Sequence, residues 1–414
     1  MVSHFKRVAL GILAAWLLLA AALSLLAAPL IVTVSDPQGA AGRLGAPVSA
    51  EVDLHGRPNT NQFRLKEPGQ TTSIDAQFVA SEPGSGNGTL FWQVPPGAAG
   101  ERKFEVTEAA ARLVTMRVFK DERSKRFEIR EGKPPVLVYN HGTVEPGEIL
   151  AKIAPDNLQY ARPRSDYIHP LYGPDGEELT KDWSVDHPHH RGIYWAWPEV
   201  DYKGQRGDLH ALQRVFARPT GVCDTIGGPV FAQISAENEW RWEDKEPIVR
   251  ERAIIRAWHV GAAGRCIDLE FRFTAMADDV AIARRDTKLY GGLNIRLAAV
   301  KDQQIAFHVD AADKQPRMAW AGLSGTFPSG KQPVGLAVFQ HPGNPDYPAD
   351  GIKYPEINWF QPTFPAAGTR YVLKKDRPLV LRYRFWIHSG KSDDAKMADI
   401  WAAYTMPPKI TIDK

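Results

Sequence analysis

Between Leu379 and His388 the chain repeats every second residue: Leu379, Leu381, Tyr383, Phe385 and Ile387 share one parity, and Val380, Arg382, Arg384, Trp386 and His388 the other. A side-chain period of about two belongs to a pleated strand and not to a helix. Ile267-Asp268-Leu269-Glu270-Phe271-Arg272-Phe273 repeats the pattern with apolar odd positions. Runs of this kind, cut by Gly, Pro and Asn, continue through most of the sequence and predict an all-β protein with antiparallel sheets. In the Leu379 strand one face is apolar, and the other carries Arg382, Arg384, Trp386 and His388. That second face reads either as solvated or as a binding surface.

A small N-terminal β-sandwich is expected over residues 30–125, from short extended runs such as Ala46-Pro47-Val48, Leu90-Phe91-Trp92-Gln93-Val94 and Val114-Thr115-Met116-Arg117-Val118. Residues 126–414 form a second, larger antiparallel β unit. One helix is marked near its end, where Met397, Ile400, Trp401 and Tyr404 fall on one helical face behind Ser392, Asp393 and Asp394, and Pro407-Pro408 stops it. Pro83-Gly84-Ser85-Gly86-Asn87-Gly88 reads as a turn and not a phosphate cradle. Gly390-Lys391-Ser392 lacks the glycine of a P-loop, since Phe385 stands in its place, and Gly322-Leu323-Ser324-Gly325 does not match the nucleophile elbow of serine hydrolases.

The chain opens with His4, Lys6 and Arg7 ahead of an apolar run from Val8 to Ala28, closed by Pro29. Residues 1–29 read as a signal peptide, with Ala20-Ala21-Ala22 as a small-residue cut, or as a single membrane anchor. Either predicts export, to the periplasm or beyond, with membrane contact only through this segment. With Lys+Arg 51 against Asp+Glu 48 and a net charge of +3, no nucleic-acid footprint exists. The two cysteines, Cys223 and Cys266, suit one disulfide or two buried thiols.

Chemistry concentrates in Asp186-His187-Pro188-His189-His190-Arg191-Gly192, directly before Tyr194-Trp195-Ala196-Trp197. Pro188 disfavours a helix through the cluster and points to an extended or turning backbone. On an extended backbone His187, His189 and Arg191 would share one side and His190 face the other. Imidazole is both the side chain that titrates nearest neutrality and the commonest metal ligand. The spacing matches neither a HExxH helix nor paired CxxC knuckles, so no cofactor is expected, with a divalent metal at the cluster kept as an alternative.

Arg162-Pro163-Arg164-Ser165-Asp166-Tyr167-Ile168-His169-Pro170-Leu171-Tyr172-Gly173-Pro174-Asp175-Gly176, the histidine cluster, Tyr290-Gly291-Gly292-Leu293 and Gly335-Leu336-Ala337-Val338-Phe339-Gln340-His341-Pro342 carry a resemblance. Over roughly residues 30–405 the chain resembles the exported bacterial family labelled methane oxygenase PmoA, with Gln340 where that pattern has Asp. The label does not fit the physics: a methane monooxygenase subunit is a bundle of membrane helices, and this chain is a polar β-rich body behind one apolar run. What the resemblance implies is a family without an established activity, common in bacteria that degrade polysaccharides, with a β-supersandwich similar to the galactose-mutarotase type.

The expected function is therefore carbohydrate-active, with histidine acid/base chemistry of epimerase, lyase or hydrolase type on a small-molecule or oligosaccharide ligand. His187 or His190 would be the acid, His341 the second imidazole, and Glu251 or Asp186 the base. His169, His189, Arg191, Trp195, Trp197, Arg384 and Trp386 would contact the sugar. Plainer roles stand beside these: Trp195 and Trp197 as core, Glu251 paired with Arg250 and Arg252, His169 fixing a turn. The competing functions are a non-catalytic glycan-binding protein and a metal-dependent hydrolase.

Overall fold

The computed structural model describes residues 30–54, 61–109, 114–309, 318–392 and 394–413, so the apolar N-terminal run lies outside the described residues. The period-two segments form strands as expected, and the molecule is all-β with a short C-terminal helix. An eight-stranded antiparallel sheet stands at the centre, running in order from Val215–Ile226 through Phe231–Trp242, Glu246–Trp258, Arg265–Ala275, Leu379–Ser389, Val334–Gln340 and Met318–Thr326 to Lys301–Val309. Phe273 pairs with Leu379 and Cys266 with Trp386, which puts the two alternating runs side by side in one register.

This sheet is covered on both faces. Leu379, Leu381, Tyr383, Phe385 and Ile387 pack with Ile267, Leu269, Phe271 and Phe273 into the main core. On the far side of that core lies a second eight-stranded sheet that includes Tyr167–Leu171, Ile193–Ala196, Gly292–Arg296 and Trp359–Pro362. Opposite-parity residues, Cys266, Trp320, Phe339 and Trp386 among them, pack into a second core with Leu30, Val32, Trp92, Phe104 and the helix residues Met397 and Ile400. Each such fully buried aliphatic or aromatic side chain contributes about 1.5–3 kcal/mol. A four-stranded sheet built from Glu199–Tyr202 and its neighbours completes the main body.

The N-terminal strands form one seven-stranded sheet, which also takes in Lys409–Asp413 beside Leu30–Asp36. The central sheet and the helix Asp394–Thr405 supply the layer against which it packs. Met116–Asp121, expected with the first unit, pairs instead with Arg126–Glu131 at the edge of the second eight-stranded sheet, so the change of unit precedes it. At Arg384, Trp386 and His388 this face is buried and not solvated, and it lies away from the histidine cluster. Arg384 holds Asp268 through bonds of 2.6 and 2.9 Å, and the Trp386 ring stacks on His388 at 4.1 Å and donates to the Ala263 carbonyl. Cys223 and Cys266 are free thiols in different cores.

Candidate functional site

The histidine segment is an irregular loop that feeds the strand Ile193–Ala196, and two residues seat it. Gly192 has φ +60°, and a Cβ there would stand 2.4 Å from the Ile168 carbonyl oxygen, so a side chain at this position is excluded twice over. Arg191 is fully buried: its guanidinium bonds Asp182 and the Tyr167 hydroxyl, and lies 3.5 Å over the Trp183 ring. It anchors the loop from below and does not face a ligand.

Between His187 and His190 the backbone turns, with the His190 amide donating to the His187 carbonyl at 2.9 Å. Of the extended and turning backbones that Pro188 allows, the turning one is found. His187 and His190 come onto the same side and stack at 4.7 Å with an interplanar angle of 15°, and the His189 ring stands edge-on to His190 at 4.5 Å. Behind His190 lies Trp359, parallel at 6.1 Å.

A fourth imidazole arrives from a distant turn. His210 sits between Asp208 and Gln213, where Asp208 Oδ1 accepts the Ala211 amide at 2.7 Å and closes an Asx-type turn. Arg164, buried over the Tyr194 ring, donates to the carbonyls of Leu209 and His210 and pins the turn to the sheet. The His210 ring is 5.1 Å from His189 and 5.5 Å from His190. One ligand atom each of His189, His190 and His210 lie within 4.8 Å of one another, the one group among the described residues with the makings of a metal centre.

These rings line a cleft of about 550 Å³ together with Asp186, His187, Asn157, Tyr160, Arg285, Tyr290, Tyr354, Glu356 and Trp359. Burial drives the His189 imidazole down to about 3, with the nearby Arg164 charge adding to the effect. Burial likewise pushes His190 and His210 well below the ordinary range, so all three are neutral at neutral pH. Asp186, at the mouth, is held below the usual carboxylate range: burial acts against this, but the His187 Nδ1 bond at 2.9 Å and the Arg296 charge outweigh it. The Nδ1 atoms of His189, His190 and His210 are buried without a hydrogen-bond partner among the described residues. Each such orphan costs about 1–3 kcal/mol when nothing completes it.

Of the residues singled out from sequence, Asp186, His187, His189 and His190 meet in this cleft and the others do not. His341 follows the strand Val334–Gln340 to the side of the C-terminal helix, where its ring packs 5.4 Å from Tyr404 and its Nδ1 accepts the Gly343 amide. It cannot be the second imidazole of the cluster. Glu251 is fully buried between the sheets and accepts 2.6 Å bonds from the indoles of Trp195 and Trp240. It is neither a base in the cleft nor a partner of Arg250 and Arg252, because it shares strand parity with the core residues Val249, Ala253 and Ile255. Trp195 and Trp197 are core residues, Trp197 donating to the Phe364 carbonyl. His169 bonds Thr180 Oγ1 at 2.9 Å, lies 3.7 Å from Glu178, and is pushed down to about 4 by burial, outside the cleft.

Sequence reasoning missed His210, Tyr160, Arg285, Tyr354 and Trp359. The turn-forming Asp208 was the one local signal near His210, and Tyr290 stood at the head of a stretch already noted.

The profile of the DUF6807 family, a family of unknown function, matches residues 126–402, well over half of the chain and the whole of the cleft. The chain belongs to this family. No curated protein matches it. Among solved structures, the chain is similar to a glycosyl hydrolase family 38 protein from Enterococcus faecalis, with TM-score 0.44 and 7% identity, over 93% of this chain and 47% of that one. An α-mannosidase from Enterococcus faecalis V583 matches with TM-score 0.43 and 8% identity, over 93% and 46%. The DUF6807 chain thus spans about half the length of these two proteins.

Proposed function

We propose that this DUF6807 protein is an exported carbohydrate-active enzyme that takes a sugar or glycoside into the cleft above His189, His190 and His210. The observation that carries the reading is one of composition in space. The half-buried faces of Tyr160, Tyr290 and Tyr354 stand around a floor of imidazoles, with Asp186, Asn157, Arg285 and Glu356 at the margins. Flat apolar faces beside convergent donors and acceptors are what a polyhydroxylated ring needs, since its C–H faces stack and its hydroxyls bond. A cavity of about 550 Å³ falls within the range of small-molecule sites. Resemblance to a family common in polysaccharide degraders agrees with this choice, and the basic, then apolar, N-terminus supports export.

The acid/base pair with His341 has no place in this scheme, so the reacting groups are those inside the cleft. Saturation-transfer NMR of the protein with a panel of mono- and oligosaccharides tests the binding step. Tyr354→Ala and Tyr290→Ala are expected to lower affinity by roughly tenfold or more, a loss in the range of one stacking contact. A product assay over the same panel then tests turnover. Binding without turnover leaves a glycan-binding protein, and a panel with no binder overturns the reading.

A further inference from the structure

We infer that His189, His190 and His210 bind a divalent transition-metal ion of the zinc class at the floor of the cleft. The inference concerns the ion alone and stands whether or not the ligand of the cleft is a sugar.

Three observations carry it. Ligand atoms of the three rings lie within 4.8 Å of one another. Around a tetrahedral zinc ion with Zn–N of about 2.0–2.1 Å, ligand nitrogens sit about 3.3 Å apart, so ring rotations of the order of an ångström close the set. Next, each ring has a buried Nδ1 with no partner among the described residues. A buried ring nitrogen is ordinarily completed by a hydrogen-bond partner, and no carboxylate is bonded to any of the three rings among the described residues. The last is the support behind His210. Its Nε2 is 3.1 Å from Asn294 Oδ1, an atom that can only accept, and 2.9 Å from the Tyr194 hydroxyl, which can accept as well as donate; a hydrogen on Nε2 satisfies both contacts and leaves Nδ1 as the donor atom for a metal. Metal-binding histidines are commonly fixed in this manner by an acceptor on the other ring nitrogen.

The surrounding cations, the buried Arg164 first among them, act against an ion, and two of them are partly offset. Arg285 is paired with Asp208 at 2.5 Å and Arg296 with Asp186 at 3.3 Å, which offsets part of their charge. Three neutral imidazoles with no thiolate select zinc and its first-row neighbours over calcium or magnesium. Three protein ligands also leave a coordination position, and it opens toward the cleft because His189 is the most exposed of the three. An oxygen ligand there, water or a hydroxyl of the cleft's guest, would be polarised by the ion.

The test uses the full chain, purified without a polyhistidine tag, stripped with a chelator and titrated with zinc against a chromophoric competitor. The expected result is one zinc per chain, with affinity reduced roughly 100-fold or more in His210→Ala and His189→Ala. In His341→Ala and His169→Ala, whose rings lie elsewhere, it is unchanged. Circular dichroism reports whether each variant folds. X-ray absorption of the zinc-loaded wild-type protein gives an answer that needs no variant: about three imidazole scatterers at about 2.0–2.1 Å are expected. Fewer than two imidazoles, or zinc affinity equal in wild type and a folded His210→Ala, overturns the inference. Zinc binding with no sugar bound would uphold it and remove the carbohydrate reading. Sugar binding by a protein that takes up no zinc would do the reverse.

Discussion

His210 Nε2 lies 3.1 Å from Asn294 Oδ1, and this contact between two buried side chains favours the hydrogen on Nε2. The orientation of Asn294 is itself fixed from the backbone. The Gly291 amide donates to Gln361 Oε1 at 2.9 Å, which turns Gln361 Nε2 toward Asn294 Oδ1, also at 2.9 Å. Asn294 Nδ2 donates to the Gly292 carbonyl at 2.9 Å. A main-chain N–H has only one role, so the assignment passes through two carboxamides and presents an acceptor oxygen to the imidazole, while the Tyr194 hydroxyl, 2.9 Å from the same Nε2, is free to accept beside it.

Asn294→Leu removes the acceptor and leaves His210 Nε2 with the Tyr194 hydroxyl alone, which can then donate to it and shift the ring hydrogen to Nδ1. Zinc affinity is expected to fall about 10–100-fold, the usual cost of losing such a support, while Asn294→Asp retains it. Competition titration of the two variants checks this. Equal affinity in Asn294→Leu and wild type would show that the ring does not need the contact.

Asp182 is the counter-charge that makes Arg191 tolerable in the interior. Asp182 Oδ2 accepts from the Arg191 guanidinium at 3.0 Å and from the Tyr167 hydroxyl at 3.1 Å, and Arg191 is wholly inaccessible. Asp182→Ala strands a buried guanidinium, for which a loss of about 3–5 kcal/mol is expected. Urea denaturation measures it. A change below about 1 kcal/mol would mean that solvent reaches the pair, as at an exposed ion pair.

How far the site could be read from sequence depends on how local its causes are. Asp186, His187, His189 and His190 adjoin one another, and Pro188 announces a turn, so the cluster was visible. His210 was not, because its approach depends on Arg164 capturing carbonyls 45 and 46 residues away. The β class followed from period two at Ile267–Phe273 and Leu379–Ile387. What lay opposite Arg384 and Trp386 did not follow, since a strand records that it has two faces but not which distant segment covers the second. Glu251 is the instructive case: its parity with Val249 and Ala253 placed it inside, and the flanking Arg250 and Arg252 drew the reading outward.

Glu131 should dominate one part of the acid limb of stability. Burial would raise its carboxyl, but bonds from His259 and Arg265 outweigh this and hold it at about 2, against 4.5 ordinarily. A depressed carboxylate contributes in full above the unfolded value and loses its contribution as pH falls through the folded one. Relative to Glu131→Gln, the wild type should therefore gain roughly 2–3 kcal/mol above about pH 5, with solvent screening allowed for, and the gap should close toward pH 2. A gap independent of pH would show that Glu131 titrates normally.

Glu251 carries the opposite sign. Burial, followed by the charge of Asp166 and a hydrogen bond to it, raises the Glu251 carboxyl well above its ordinary value, so the folded protein keeps a proton that the unfolded chain releases near pH 4.5. Asp166 is raised too, chiefly by burial, and accepts bonds from the Tyr139 hydroxyl at 2.7 Å and Asn238 at 2.8 Å, so the proton of the pair resides on Glu251. A group raised on folding contributes its stability in full below the unfolded value, and that contribution is lost as pH rises. In Glu251→Gln the amide donates to Asp166 in place of the acid but leaves one indole, of Trp195 or Trp240, without its acceptor, a fixed loss of about 1–3 kcal/mol. The variant takes up no proton on folding at this position. Between about pH 5.5 and 7.5 its stability should therefore rise relative to wild type by about 1.4 kcal/mol per pH unit. Denaturant melts of both proteins across that interval give the slope directly, and a slope of zero would mean that Glu251 is ionised in the folded protein.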